Sequence, residues 1–147
     1  MADRYAAFGT ILEFSRDNGA TWKTVAGLTN VETPDGTTDE IDGTGHDSPG
    51  GYREFVAGLK DPGTAAIEGF YDPQDASHQG GADGLPGLWA SGERVLWRVR
   101  HTAMGSGSND GITFKGYVSA FRATFPADGL MGFTGSIRAS GETQFPN

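Results

Sequence analysis

Along most of this chain large apolar residues alternate with polar ones, which is the period of a half-buried strand and not of a helix. Phe8, Leu12 and Phe14 share one parity and Glu13 takes the other, predicting a first strand over Phe8–Ser15. Asp17-Asn18-Gly19 is a turn signal, since Asn and Gly tolerate positive φ. A second strand runs from Trp22 toward Thr33 with a break near Gly27, so the two strands make a hairpin. Thr64–Tyr71 reads as a strand between two Asp-Pro turns. The clearest strand is Arg94–His101: Val95, Trp97 and Val99 take one face and Arg94, Arg98 and Arg100 the other, with Leu96 the apolar exception. The parity of Ile112, Phe114 and Val118 switches before Phe121 and Phe125, predicting a β-bulge near Ser119-Ala120. Asp128-Gly129 turns into a last strand with Met131, Phe133, Ile137 and Ala139 on one face. Only Leu85, Leu88 and Trp89 are spaced for a short helix, with Asp83 placed to cap it and Gly92 to end it. The glycine- and serine-rich run Gly105–Gly111 reads as a flexible connection. The expected class is all-β, with a core of Phe14, Trp22, Ile67, Val95, Trp97, Val99, Phe114, Phe133 and Ile137.

One stretch breaks the pattern. From Pro34 to Tyr52, five acidic residues (Asp35, Asp39, Glu40, Asp42 and Asp47) alternate with five glycines, and only Ile41 and Tyr52 are large and apolar. This is a long loop at about 34–52, with room for a short strand around Thr38–Asp42. Loops of that length inside a compact domain usually carry function. It has too little apolar surface to fold alone.

Composition narrows the chemistry. A chain of 147 residues predicts one domain over 1–147. The absence of cysteine removes disulfides, thiolate nucleophiles and Cys-ligated zinc. A net charge of −8 argues against tight binding to a phosphate backbone. No leader segment and no bilayer-length apolar run is read, so a soluble product of the cytosol with no membrane partner is expected.

Candidate motifs resolve toward structure. Ser15-x-Asp17-x-Gly19-x-Thr21-Trp22 matches the Asp-box of sialidase propellers, but in one copy without a blade repeat. It reads as a turn device in which Asp17 bonds turn amides, Gly19 supplies the turn and Trp22 packs beneath. His46, His78 and His101 have no metal-ligand spacing and are expected at the surface. His46-Asp47-Ser48 contains triad residue types, yet a nucleophile needs a base and an orienting group met through space, and no nucleophile elbow accompanies them. Asp72, Asp75 and Asp83 lack the EF-hand pattern and read as solvated loop carboxylates. Arg94, Arg98 and Arg100 are expected to pair with carboxylates of a neighbouring strand or subunit. The reading is therefore no catalytic residue, no metal and no cofactor: an assembly protein more than an enzyme.

The run His46-Asp47-Ser48-Pro49-Gly50-Gly51-Tyr52-Arg53-Glu54-Phe55-Val56-Ala57-Gly58-Leu59-Lys60-Asp61 resembles the major tail tube proteins of long-tailed, non-contractile bacteriophages. Weaker pieces extend the resemblance in order along the chain: Asn18–Trp22, Val25–Val31, Gly69–Pro73 with His78, Phe114–Val118 and Gly135–Gly141. The resemblance implies a β-sandwich or half-barrel with one short packed helix. It implies six copies in a ring with a continuous β-barrel as inner wall. Rings would stack around a tape-measure protein, between tail terminator and distal tail proteins, and later pass double-stranded DNA. The subunit would be made in the host bacterial cytoplasm and end in the virion tail. By position, the long loop would reach the adjacent ring, through Asp39, Asp42, His46, Asp47, Ser48, Pro49, Gly50, Gly51, Tyr52 and Arg53. The channel is expected to be predominantly acidic, with the strand arginines paired between subunits. The alternatives are another tail component, such as a tail-completion or distal-tail protein, and a carbohydrate-binding β domain suggested by the Asp-box hairpin.

Overall fold

The computed structural model describes residues 2–105 and 110–146; residues 106–109 of the expected flexible connection lie outside them. The described residues form nine strands and one α-helix in the order β1 Ile11–Ser15, β2 Lys23–Thr24, β3 Leu28–Glu32, β4 Thr37–Asp42, β5 Phe55–Asp61, β6 Thr64–Phe70, α1 Leu85–Ser91, β7 Val95–Arg100, β8 Ile112–Thr124 and β9 Gly132–Ala139. Seven strands make one antiparallel sheet in the order β2-β1-β7-β8-β9-β6-β3. β4 and β5 pair only with each other, as a separate hairpin.

Register explains the core. Phe14 stands opposite Trp97, which stands opposite Phe114; Val118 faces Ile137, which faces Ala65. Alternation therefore puts one apolar row from every central strand on the same side. Helix α1 covers that side, burying Leu85 and Leu88. Trp97 Nε1–H donates to the Gly116 carbonyl at 3.1 Å, so the largest core side chain leaves no buried donor orphaned. The bulge falls between Val118 and Ala120, where the parity switch puts it.

Several expectations change. β1 begins at Ile11, because Thr10 turns back through its N–H and Oγ1 onto the Ala7 carbonyl and Gly9 takes φ 92°, leaving Phe8 exposed at the turn. The expected strand Trp22–Thr33 divides at Gly27, where φ is 74° and a Cβ would stand 2.8 Å from the Phe70 carbonyl. Before it β2 pairs with β1; after it β3 joins β6 at the other edge of the sheet. Trp22 is half-buried, unlike the other eight residues of the expected core, which are buried. Helix α1 is entered through Gly84 with Pro86 in the first turn, and Asp83 instead pairs with Arg16 and Lys23; Gly92 ends it at φ 66°. The expected loop is the outgoing half of an arm: β4 pairs with β5, and the structure continues to Asp61.

Candidate assembly interface

The arm is built from local hydrogen bonds rather than from a core. Asp42 Oδ1 accepts from the Thr44 amide at 2.9 Å, and Thr44 Oγ1 accepts from the Glu54 amide at 2.8 Å. Ser48 Oγ accepts from the Gly45 amide and donates to Glu54 Oε2, both at 2.9 Å. The Thr44 hydroxyl and amide hold the Asp42 carboxyl below its ordinary range, and the bonds of Ser48 close the tip around a 3-10 turn over Pro49–Gly51. At the root, Asp35 Oδ1 accepts from the Thr64 amide, which lowers the Asp35 carboxyl, and Asp61 accepts from Arg138 at 2.8 Å. So two of the acidic residues that made this stretch look unstructured, Asp35 and Asp42, help to order it, together with Glu54 and Asp61 beyond it.

No residue of β4 is buried, and in β5 only Gly58 is even partly covered. Ile41 stands opposite Val56 on one face of the arm, and Phe55, opposite Asp42, takes the other; a register shift between Thr38 and Glu40 interrupts the alternation before Leu59. All four are exposed, Leu59 at 84%. A two-stranded hairpin with apolar side chains open on both faces is a poor structure for water and a good one for insertion between partners. Residues 34–61 also hold seven of the acidic groups and two of the basic ones, so five of the eight net negative charges sit on the arm.

Sheet edges are open as well. Among the described residues no strand lies beyond β3 at one side of the sheet or beyond β2 at the other. β7 covers β8 only from Ile112 to Gly116, which leaves that edge of β8 without a strand partner from Tyr117 to Thr124. Unpaired edges of this kind are templates for pairing with another chain.

The expected contact residues Asp39, Asp42, His46, Asp47, Ser48, Pro49, Gly50, Gly51, Tyr52 and Arg53 lie together on the outgoing strand and tip of this arm, exposed except for half-buried Ser48. Phe55, Val56 and Leu59 on the returning strand were not foreseen as part of it. Their run has no polar alternation to mark a strand, and only the pairing with β4 fixes which face each takes.

The remaining candidates serve the fold. Glu13, on the face expected to be polar, is buried: Oε2 accepts from Arg98 at 3.0 Å and Oε1 lies 3.6 Å from Arg100. The Arg98 guanidinium lies 3.9 Å over the Trp22 ring. Arg98 and Arg100 thus meet a carboxylate of their own chain on the neighbouring strand, and Arg94 donates to Ser140 Oγ at 3.4 Å. In the Asp-box turn the Gly19 amide donates to Ser15 Oγ at 2.7 Å and Asp17 accepts from Ser15 Oγ and the Thr21 amide, which lowers the Asp17 carboxyl to about 2. A Cβ on Gly19, where φ is 97°, would lie 3.8 Å from the Trp22 ring. His78 is buried, against expectation: Nδ1 accepts from the Asp72 amide at 2.9 Å, so Nε2–H donates to the Ala26 carbonyl at 2.8 Å. Asp75 caps the turn Ala76–His78 by accepting from Ser77, which lowers its carboxyl. Ser48 bonds Gly45 and Glu54, leaving His46-Asp47-Ser48 without the geometry of a triad. No group of ligands able to hold a metal occurs among the described residues.

A family model described as phage tail tube, TTP, lambda-like matches residues 9–147. No curated protein matches the sequence. Among solved structures, the tail of an empty gene transfer agent (GTA) particle refined with C6 symmetry is similar at a TM-score of 0.75 and 16% identity, covering 98% of this chain and 100% of that one. The virion of a native gene transfer agent particle gives a TM-score of 0.73 at 14% identity over the same shares. The SPP1 tail tube gives 0.63 at 11% identity, covering 94% of this chain and 77% of that chain. At these identities the three likenesses establish a common fold.

Proposed function

This chain belongs to the lambda-like phage tail tube family and is a structural component of a phage tail; we propose that six copies close into a ring and that rings stack into the tail tube. Closure pairs the open β3 edge of one copy with the open Tyr117–Thr124 edge of β8 in the next. Such a contact is heterologous, joining different surfaces of identical copies, and closes when the rotation per copy divides the circle. The result is a continuous β-barrel as inner wall. Stacking uses the arm, with Asp39, Asp42, His46, Asp47, Ser48, Pro49, Gly50, Gly51, Tyr52 and Arg53 among its contacts. The C6 symmetry of the gene transfer agent tail supports the ring number.

The single observation that carries the reading is the arm itself: a hairpin outside the core, apolar on both faces, with no cover of its own. The tube so formed holds a tape-measure protein during assembly and then conducts double-stranded DNA, between tail terminator and distal tail proteins. The protein acts through surfaces and not as an enzyme, and it is made in the host cytoplasm before joining the virion. Replacing residues 37–61 by a short Gly/Ser link tests the assignment. The body should keep its fold by circular dichroism, and electron microscopy of concentrated protein should show rings or monomers but no tubes. Tubes of normal length from the armless protein would refute it.

A further inference from the structure

The arm leaves one end of the sheet, and a second exposed apolar surface lies at the other. β3 and β6 are antiparallel, so Glu32 and Thr64 mark the end where the arm begins, and Leu28 and Phe70 mark the far end. β9 starts there, with Gly132 opposite both Phe70 and Thr124, so the β8–β9 turn is at the far end too. Around it Phe125 is 65% exposed and Leu130 72%, and Met131 and Phe70 are exposed beside them. Phe125 meets Tyr71 edge-on at 6.0 Å between centroids, and the Tyr71 amide donates to the Met131 carbonyl at 3.0 Å, which ties the Phe125 ring and the Met131 backbone to this end. Tyr71 is itself packed on the core.

We propose that the far-end surface of Phe125, Leu130, Met131 and Phe70 is the receptor for the arm of a second copy of this chain. This rests on the reading that the arm bridges rings. A copy stacked on the arm end presents its own far end to the arm. The seven residues of β5 are about 23 Å long at strand rise, so an arm is long enough to lie across the far end of a copy stacked on it. The chemistry is complementary: Ile41, Phe55, Val56 and Leu59 need apolar cover, and the far end offers exposed aromatic and aliphatic groups on a rigid support. The exposed apolar residues near the start of the chain, Tyr5, Phe8 and Ile11, are at the wrong end. Ile11 pairs with Arg100 next to Ile112, beyond the level of Gly116 and the arm root.

Two experiments test this. Leu130→Glu, at an exposed position, should leave the melting curve unchanged and raise the protein concentration needed for tube growth about tenfold or more. Leu59→Glu on the arm should do the same. Second, the chain has no cysteine, so Leu59→Cys with Leu130→Cys or Met131→Cys in one chain should give oxidised ladders of many subunits in assembled tubes. Either cysteine alone should give none. Normal tubes from Leu130→Glu, or arm cysteines that never cross-link to far-end positions within tubes, would overturn the receptor while leaving the tube and the bridging arm standing. If the armless protein also makes normal tubes, the bridging reading fails as well.

Discussion

Trp97 joins the core to the sheet, its ring packed 5.4 Å from Phe14 and its N–H bonded to Gly116. Trp97→Ala should cost about 3–5 kcal/mol, read from urea unfolding; a change near zero would mean that its cover comes from elsewhere. Asp17 is a second diagnostic residue. Its folded carboxyl is lowered to about 2 from an ordinary 3.8 by Ser15 and the Thr21 amide. A depressed carboxyl stabilises the fold fully above the unfolded value and loses that contribution as pH falls through the folded one. The stability gap between wild type and Asp17→Asn should therefore be constant above about pH 5 and shrink between about pH 4 and 2. A gap independent of pH would show that the carboxylate's charge plays no part in the turn. These residues were legible because each acts over a few neighbours. His78 was not: its burial depends on Ala26 and Tyr71, which no local pattern brings to it.

Strand periodicity revealed β1, β6, β7, β8 and β9 because each has one apolar face on the core. It foresaw β3 as a strand but paired it with β1, whereas the chain crosses the sheet after Gly27 to join β6, and it missed β5, whose apolar residues cover nothing in their own chain. Glu13 shows why polarity alone misplaces a face. Its alternation is correct, but Arg98, Arg100 and Trp22 cover the side it points to. Removing the carboxylate while leaving two cations should be severe: Glu13→Ala should lose about 3–5 kcal/mol. Glu13→Gln, which keeps the shape and one acceptor, should lose less. The arm makes the opposite prediction about order. Its strands are ordered but exposed, so its amides should exchange faster than those of β8 and β9 in the monomer and become protected in tubes. Equal protection in both forms would show that nothing covers it.

At the scale of the molecule, the net charge of −8 is concentrated on the arm, with five of its units between residues 34 and 61. Arms of like charge around a ring repel, while the contacts proposed for them are apolar. Added salt should therefore lower the concentration needed for tube growth, whereas an arm docking on a basic surface would show the reverse. The proposed channel is predominantly acidic, since a conduit must not gain counterion release by neutralising phosphates. Converting lumen-facing carboxylates to Lys should leave tubes intact and slow DNA ejection, most strongly at low salt. The charge of the chain was legible from its residues; its placement on an arm was not, because that depends on β4 pairing with β5 away from the sheet.

The central claim is that identical copies join edge to edge into rings and arm to far end between rings. Electron cryomicroscopy of tubes grown from the purified chain tests it most directly. The account predicts six subunits per ring, β3 paired with the Tyr117–Thr124 edge of β8 in the next subunit, and each arm lying on Phe125, Leu130 and Met131 of the adjoining ring. A tube in which those two edges stay unpaired, or in which the arms fold back on their own ring, would contradict it.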